Sequence, residues 1–369
     1  MTLTSCARAI SAIAITLTFA GVAKAADIPK FEVDASWPKP LPNNWILGQV
    51  GGITTDKDGH IWVFQRPASL TDDEKAASFT PQRTSCCVPA PPVLEFDAEG
   101  NLLRSWGGPG EGYKWVGNEH GIEVDDKGFV WLTGNAATDG VVLKFTVDGK
   151  YVGQIGSVGP LKGSNDTTGL GRPAETFVDE SAREIYIADG YGNRRVIVFD
   201  ADTLAFKRYW GAYGNKPNDD AQPPYDPKAP VSQQFANPVH CVKVANDGLV
   251  YVCDRTNNRL QVFKKDGTFV KEFFFEKNTL ANGAVWDVVI WPDAKQTYLI
   301  SADGANNEIR IVKREDGTVV GKFGRNGRQA GQFHWVHTMA IDPAGNLYTG
   351  EVDTGKRVQK FRLVSDALK

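Results

Sequence analysis

The chain has 369 residues and a net charge of −3, from 41 Lys and Arg against 44 Asp and Glu, with 38 Gly, 10 Trp, 10 Tyr and 19 Phe but only two Met. A chain of this size removes roughly 75% of its unfolded surface from water, so it can hold a full core without a disulfide scaffold, and its balanced charge offers no basic field for a nucleic-acid backbone. Abundant glycine and aromatic residues without a helical period point to an all-β fold of short strands and tight turns.

Residues 1–25 read as a secretory signal, in which Arg8 precedes an apolar run over 10–20 and Ala23-Lys24-Ala25 supplies small residues for cleavage. That run falls short of the about 20 apolar residues a membrane span needs, and no later segment reaches that length. The expectation is therefore a secreted, periplasmic protein with no membrane insertion, whose mature part, 26–369, is one domain and a monomer. Cys6 would leave with the leader, and Cys86, Cys87, Cys241 and Cys253 remain. Four cysteines allow three pairings. In the segment 239–254, pairing Ala245 with Leu249 sets Cys241 opposite Cys253, where a cross-strand disulfide fits and two buried thiols are the alternative. The adjacent Cys86 and Cys87 have no such clear partner; a vicinal bridge closing a loop is open to them.

One phrase recurs six times: an apolar strand, an Asp-rich turn ending in Gly, an aromatic or β-branched strand, then a third and fourth strand running toward Trp-Gly or Phe-Gly. The copies begin at 51–64, 120–134, 175–189, 240–254, 286–300 and 337–351. Repeats of this length with four short strands predict a six-bladed β-propeller of four-stranded antiparallel blades around a central channel. The last copy stops after three strands, so the segment 30–36 is expected to supply its outer strand and close the ring. The stretches 65–92, 107–118, 157–173 and 211–236 read as surface connections.

Three of the five histidines, His120, His240 and His337, share one position at the entry to the first strand of copies two, four and six. In a six-bladed ring, alternate first strands lie about 120° apart around the channel, so three such side chains can converge. Three imidazoles leaving an open position are the ligand set of a catalytic zinc, or another divalent transition metal. His334 reads as a neighbour of this site or a solvent-facing residue, and His60 as structural. After second strands, on the same face, stand Arg66, Tyr191 and Arg255. Two guanidiniums suit a small anionic substrate, and a tyrosine beside arginine and a metal suits proton acceptance. Arg194, Arg195 and Arg259, in Asn-Arg pairs before third strands, read as structural.

The Asp-Gly turns and Asn-Arg pairs resemble NHL repeats. The site residues resemble, over nearly the whole mature length, the peptidyl-α-hydroxyglycine α-amidating lyase family. Its metal-binding histidine motifs are matched by EHG with His120, VHC with His240 and VHT with His337. Its tyrosine motif is matched by DGYGNRR with Tyr191, and its arginines by Arg66 in VFQRP and Arg255 in CDRTNNR. The resemblance implies zinc in the channel and cleavage of the C–N bond of an α-hydroxyglycine-like, peptide-like substrate to an amide or amine plus glyoxylate, with Tyr191, Arg66 and Arg255 catalytic. It also implies a structural calcium on the carbonyls of Ile53 and Ile122 and on an Asp after the third histidine. That position is Thr338, which argues against calcium. A metal-dependent lactone or ester hydrolase, or a non-catalytic NHL interaction module, are the rival readings.

Overall fold

The structure is a computed structural model that describes Met1 and residues 27–368; the leader expected over 1–25 lies, apart from Met1, outside the described residues. Six four-stranded antiparallel sheets form the six-bladed NHL-like propeller. The first blade consists of Gln49–Thr55, Ile61–Arg66, Val93–Phe96 and Leu102–Trp106. The next four begin with Glu119–Val124, Glu175–Asp179, Val239–Val244 and Asp287–Ile290. The last contains Val336–Ile341, Leu347–Glu351 and Val358–Leu363. Its fourth strand is Phe31–Asp34, with Phe31 opposite Leu363 and Asp34 opposite Lys360, so both ends of the chain share one sheet. Outside the blades, Trp45–Ile46 pairs in parallel with Val88–Pro89, the latter inside the stretch 65–92 that the sequence suggests is a plain connection.

The Asp-rich turns explain the repeat. The Asp125 carboxylate accepts the backbone N–H groups of Lys127 and Phe129 and the indole N–H of Trp131. It thereby fixes the turn and anchors the aromatic residue of the second strand. Gly128 closes this turn at φ 77° and Gly248 the matching turn at φ 81°, a left-handed region that disfavours side chains.

Apolar residues of successive sheets then pack face to face. Trp62 and Phe64 of the first blade meet Val124, Val130 and Leu132 of the second. Further clusters fill each gap around the ring, and the one joining Ile53 and Val63 to Ala340 and Tyr348 seals the last blade against the first. The Asn-Arg arginines are buried struts: Arg195 lies 2.8 Å from Asp189 and Arg259 lies 2.7 Å from Asp254. Cys241 stands opposite Cys253 and is bonded to it, with Ala245 and Leu249 paired beside the turn. Cys86 is bonded to Cys87. Among the described residues no helix is long and apolar enough to cross a membrane.

Candidate metal centre

Each channel histidine sits at a break in strand register. Val239 pairs with Asp254 and Cys241 with Cys253, which leaves His240 without a partner. His337 is skipped in the same way between Val336 and Thr338, and His120 with Gly121 between Glu119 and Ile122. A β-bulge turns its extra residue away from the regular alternation of the strand, and here all three turn into the channel. The first blade has the same break, but at Gly51, where a Cβ would stand 2.5 Å from the Glu119 carbonyl oxygen. Glycine there leaves room for the second blade to approach.

The three rings meet at the axis. Their centroids are 5.1 Å apart for His120 and His240, 4.7 Å for His120 and His337, and 4.8 Å for His240 and His337. One nitrogen from each lies within 4.8 Å of the others. His120 donates its Nδ1 proton to the Ala174 carbonyl at 2.8 Å, and His240 donates to the Trp286 carbonyl. Nε2 of each is therefore the unprotonated nitrogen, and its lone pair faces the Tyr191 hydroxyl. His337 Nδ1 is buried with no hydrogen-bond partner. Burial first, then neighbouring guanidiniums and imidazoles, hold all three rings well below the ordinary histidine range. Three neutral, buried imidazoles, one with an orphaned nitrogen, fit a divalent metal such as zinc, which prefers nitrogen ligands in a compact, incompletely filled set.

Tyr191 Oη lies 3.0 Å from His120 Nε2 and 3.1 Å from His240 Nε2, and it accepts a hydrogen bond from Arg255 Nη1 at 3.2 Å. Arg255 is stacked over Trp286 at 4.5 Å, and its Nε is buried without an acceptor. Arg66, the last residue of its strand and not a residue beyond it, donates Nε to the Glu119 carbonyl at 2.6 Å and Nη1 to Gln49 Oε1 at 2.7 Å. The fold thus gathers His120, His240, His337, Tyr191 and Arg255 directly, with Arg66 fixed beside the strand that carries His120. Two contributors are not evident from sequence. Trp286 holds the histidine position of the fifth blade and braces His240 through its carbonyl. Arg172 places its guanidinium 5.7 Å from the Tyr191 ring and its backbone carbonyl under the Tyr191 N–H.

Other residues stay apart. His334 rests its ring near Trp335 and gives its backbone N–H to Glu351. His60 pairs with Asp56 and Glu95 within the first blade. Arg194 reaches Asn237 and two loop carbonyls. A cavity of about 10 Å³ is lined by His120, His240 and His337 together with Ile53, Ile122, Thr338, Glu175 and Asp287. That is about the room of one water. Glu175 is already held by Lys243 Nζ at 2.6 Å and by the Val242 N–H, and Asp287 by the N–H groups of Val288 and Met339. The chain supplies its own cation and donors there, so these residues do not fit the calcium that the family resemblance implies. A larger hollow of about 770 Å³ lies off the axis beneath Pro223, Tyr225 and Leu280; none of the three histidines nor Tyr191 lines it. Chemistry, not size, marks the smaller space as the functional one.

The NHL repeat model matches residues 239–263, the first three strands of the fourth blade. The chain is similar to NHL repeat-containing protein 3 of Mus musculus, 29% identical over 248 residues that cover 64% of this chain and 58% of that one. It is also similar to the probable peptidyl-alpha-hydroxyglycine alpha-amidating lyase of Caenorhabditis elegans, 25% identical over 222 residues, 59% of this chain and 56% of that one. Each match therefore spans little more than half of the relative. Among solved structures, a streptogramin B lyase superposes with a TM-score of 0.51 at 15% identity, covering 92% of this chain and all 100% of that one. The fold is that of an NHL-repeat six-bladed propeller, with a site able to bind a metal.

Proposed function

We propose that the protein is a metal-dependent lyase that breaks the C–N bond of an α-hydroxy-α-amino carboxylate, giving a 2-oxo acid such as glyoxylate and an amide or amine. The observation carrying this reading is the Tyr191 hydroxyl set within 3.1 Å of two of three converging imidazoles and within 3.2 Å of Arg255. The match to the worm protein, whose name is that of such a lyase, supports it. Held by His120, His240 and His337, zinc would supply Lewis acidity toward the substrate oxygens. Tyr191 Oη, once it has given up its own proton and stands as a phenolate beside Arg255, is the proton acceptor for the substrate hydroxyl. As that proton passes to Tyr191, the C–O bond becomes a carbonyl, the C–N bond breaks, and nitrogen departs with the bonding pair and takes up the proton that Tyr191 received. Arg66 and Arg255 hold the carboxylate and fix the reacting carbon over Tyr191. On this reading the protein works after export, in a periplasmic or extracellular setting.

The test is metal analysis of the purified protein combined with glyoxylate release from N-benzoyl-α-hydroxyglycine. One metal per chain with metal-dependent glyoxylate release is expected. Stoichiometric metal with turnover of lactones or esters and no glyoxylate would replace the lyase with a hydrolase. A protein with no metal affinity would favour an interaction module.

A further inference from the structure

Buried arginines in this propeller are paired with carboxylates: Arg195 with Asp189, Arg259 with Asp254 and Arg310 with Asp303. Around the metal centre the pattern fails. Among the described residues, Arg66, Arg172 and Arg255 have no carboxylate within ion-pair distance, and the nearby Glu119 turns its carboxylate to the Trp115 indole at 3.0 Å. Two of these guanidiniums suffice for one carboxylate. The third, Arg172, hangs from the connector between the second and third blades. Its Nε donates to the Asn135 carbonyl at 2.8 Å and its N–H to the Asp139 carbonyl at 2.8 Å, and no hydrogen bond engages its Nη atoms. It holds φ 58° to do so, a backbone state unusual for a side chain of this kind. Its guanidinium is about as far from the Tyr191 ring centroid, 5.7 Å, as that of Arg255, 5.6 Å. Arg66 and Arg255 are each 8% exposed, whereas Arg172 is half-buried and so more open to solvent than either.

We propose that Arg172 is a specificity-determining residue that binds a second carboxylate, carried on the nitrogen-side fragment, so that the substrate is a dianionic N-acyl α-hydroxyglycine. This rests on the lyase reading for the placement of the first carboxylate. An unpaired guanidinium beside a metal and two others raises the local positive potential, and a second anion relieves it. A charge-assisted pair of this kind strengthens binding by at least ~10-fold.

The test uses unreactive glycine derivatives that lack the hydroxyl, titrated calorimetrically into zinc-loaded protein. N-succinylglycine carries the second carboxylate, and N-butyrylglycine is its neutral counterpart of similar length. The dianion is expected to bind ~10-fold tighter. Arg172→Asn, chosen because asparagine tolerates the left-handed backbone, should erase that advantage and leave N-butyrylglycine within about two-fold, while Arg172→Lys should retain part of it. Equal affinities in the native protein would overturn the proposal. So would an Arg172→Asn variant that weakens both ligands alike, since that marks a role only in bracing the Tyr191 loop. The preference is read without turnover, so absence of glyoxylate release would sink the lyase reading while leaving this measurement intact. If neither ligand binds, this proposal falls together with the carboxylate clamp.

Discussion

The hydroxyl of Tyr191 lies 3.0 Å from Nε2 of His120, the unprotonated nitrogen that carries the lone pair of that ring. A phenol has one proton and here meets two such lone pairs, the second at His240, 3.1 Å away. It can satisfy only one at a time, so the pocket is organised for a further electron-pair acceptor with the hydroxyl beside it. Tyr191→Phe keeps the ring and removes only the oxygen. Glyoxylate release should fall at least ~10²-fold, the scale of a lost general base, while metal content stays at one per chain by elemental analysis. An unchanged rate would remove Tyr191 from the chemistry.

Metal binding should register in stability, because the three imidazoles are brought together only in the folded ring. A metal at ~100 times its dissociation constant adds about 2.7 kcal/mol, visible as a rise in melting temperature that chelation reverses. Replacing any of His120, His240 or His337 by alanine should abolish that rise. His337, whose Nδ1 lacks an orienting partner, offers a contrast with His120, which is tied to Ala174. Calorimetric zinc titration of the three variants measures both stoichiometry and affinity.

The blades were legible because each depends on local chemistry: the Asp56 and Asp125 turns with their tryptophan anchors, and the positive-φ glycines that end them. The histidine triad was legible only through the repeat register, since 54 residues separate His120 from its bracing carbonyl at Ala174. The bulges that aim the histidines left no mark in the residue pattern, because the backbone alone makes the break. Arg172 was hidden inside a connector, where no periodicity assigns a direction. Glu175 and Asp287 were hidden because their channel layer becomes visible only once six strands are set side by side.

Glu123 gives a pH signature independent of the metal. Its side chain is half-buried on the first strand of the second blade, where Thr54 Oγ1 donates to it at 3.2 Å, and burial pushes it up to about 8, with Lys243 opposing the effect and Glu175 adding to it. The unfolded chain loses this proton near the ordinary 4.5. Between those values the folded state binds more protons, so stability falls as pH rises through the window. Glu123→Gln should remove that loss. Thermal melts are expected to show the variant and native chain alike near pH 5, with the variant ahead by at least ~1.4 kcal/mol at pH 9, one pH unit's worth of linkage. Parallel pH profiles would place the proton elsewhere.

Gly121 couples the fold to the site most directly. It follows His120 within the same bulge, and a Cβ there would fall on the Ala174 carbonyl oxygen and come 2.7 Å from Thr133 Oγ1. Thr133 Oγ1 already donates to that carbonyl at 2.8 Å and accepts the Gly121 N–H at 2.7 Å, while His120 Nδ1 donates to the same oxygen. Gly121→Ala must therefore move the group that orients a metal ligand. A general overpacking cost of ~1–3 kcal/mol is expected in denaturant melts. The sharper effect should be a ~10–100-fold weaker zinc affinity, the scale seen when an outer partner of a ligating histidine is lost. Gly128→Ala, at a turn where the nearest side-chain atom stands 3.7 Å away, serves as the control: it strains a positive φ and costs stability but leaves zinc binding unchanged. Equal zinc affinities in the two variants would show that the Ala174 carbonyl does not position His120.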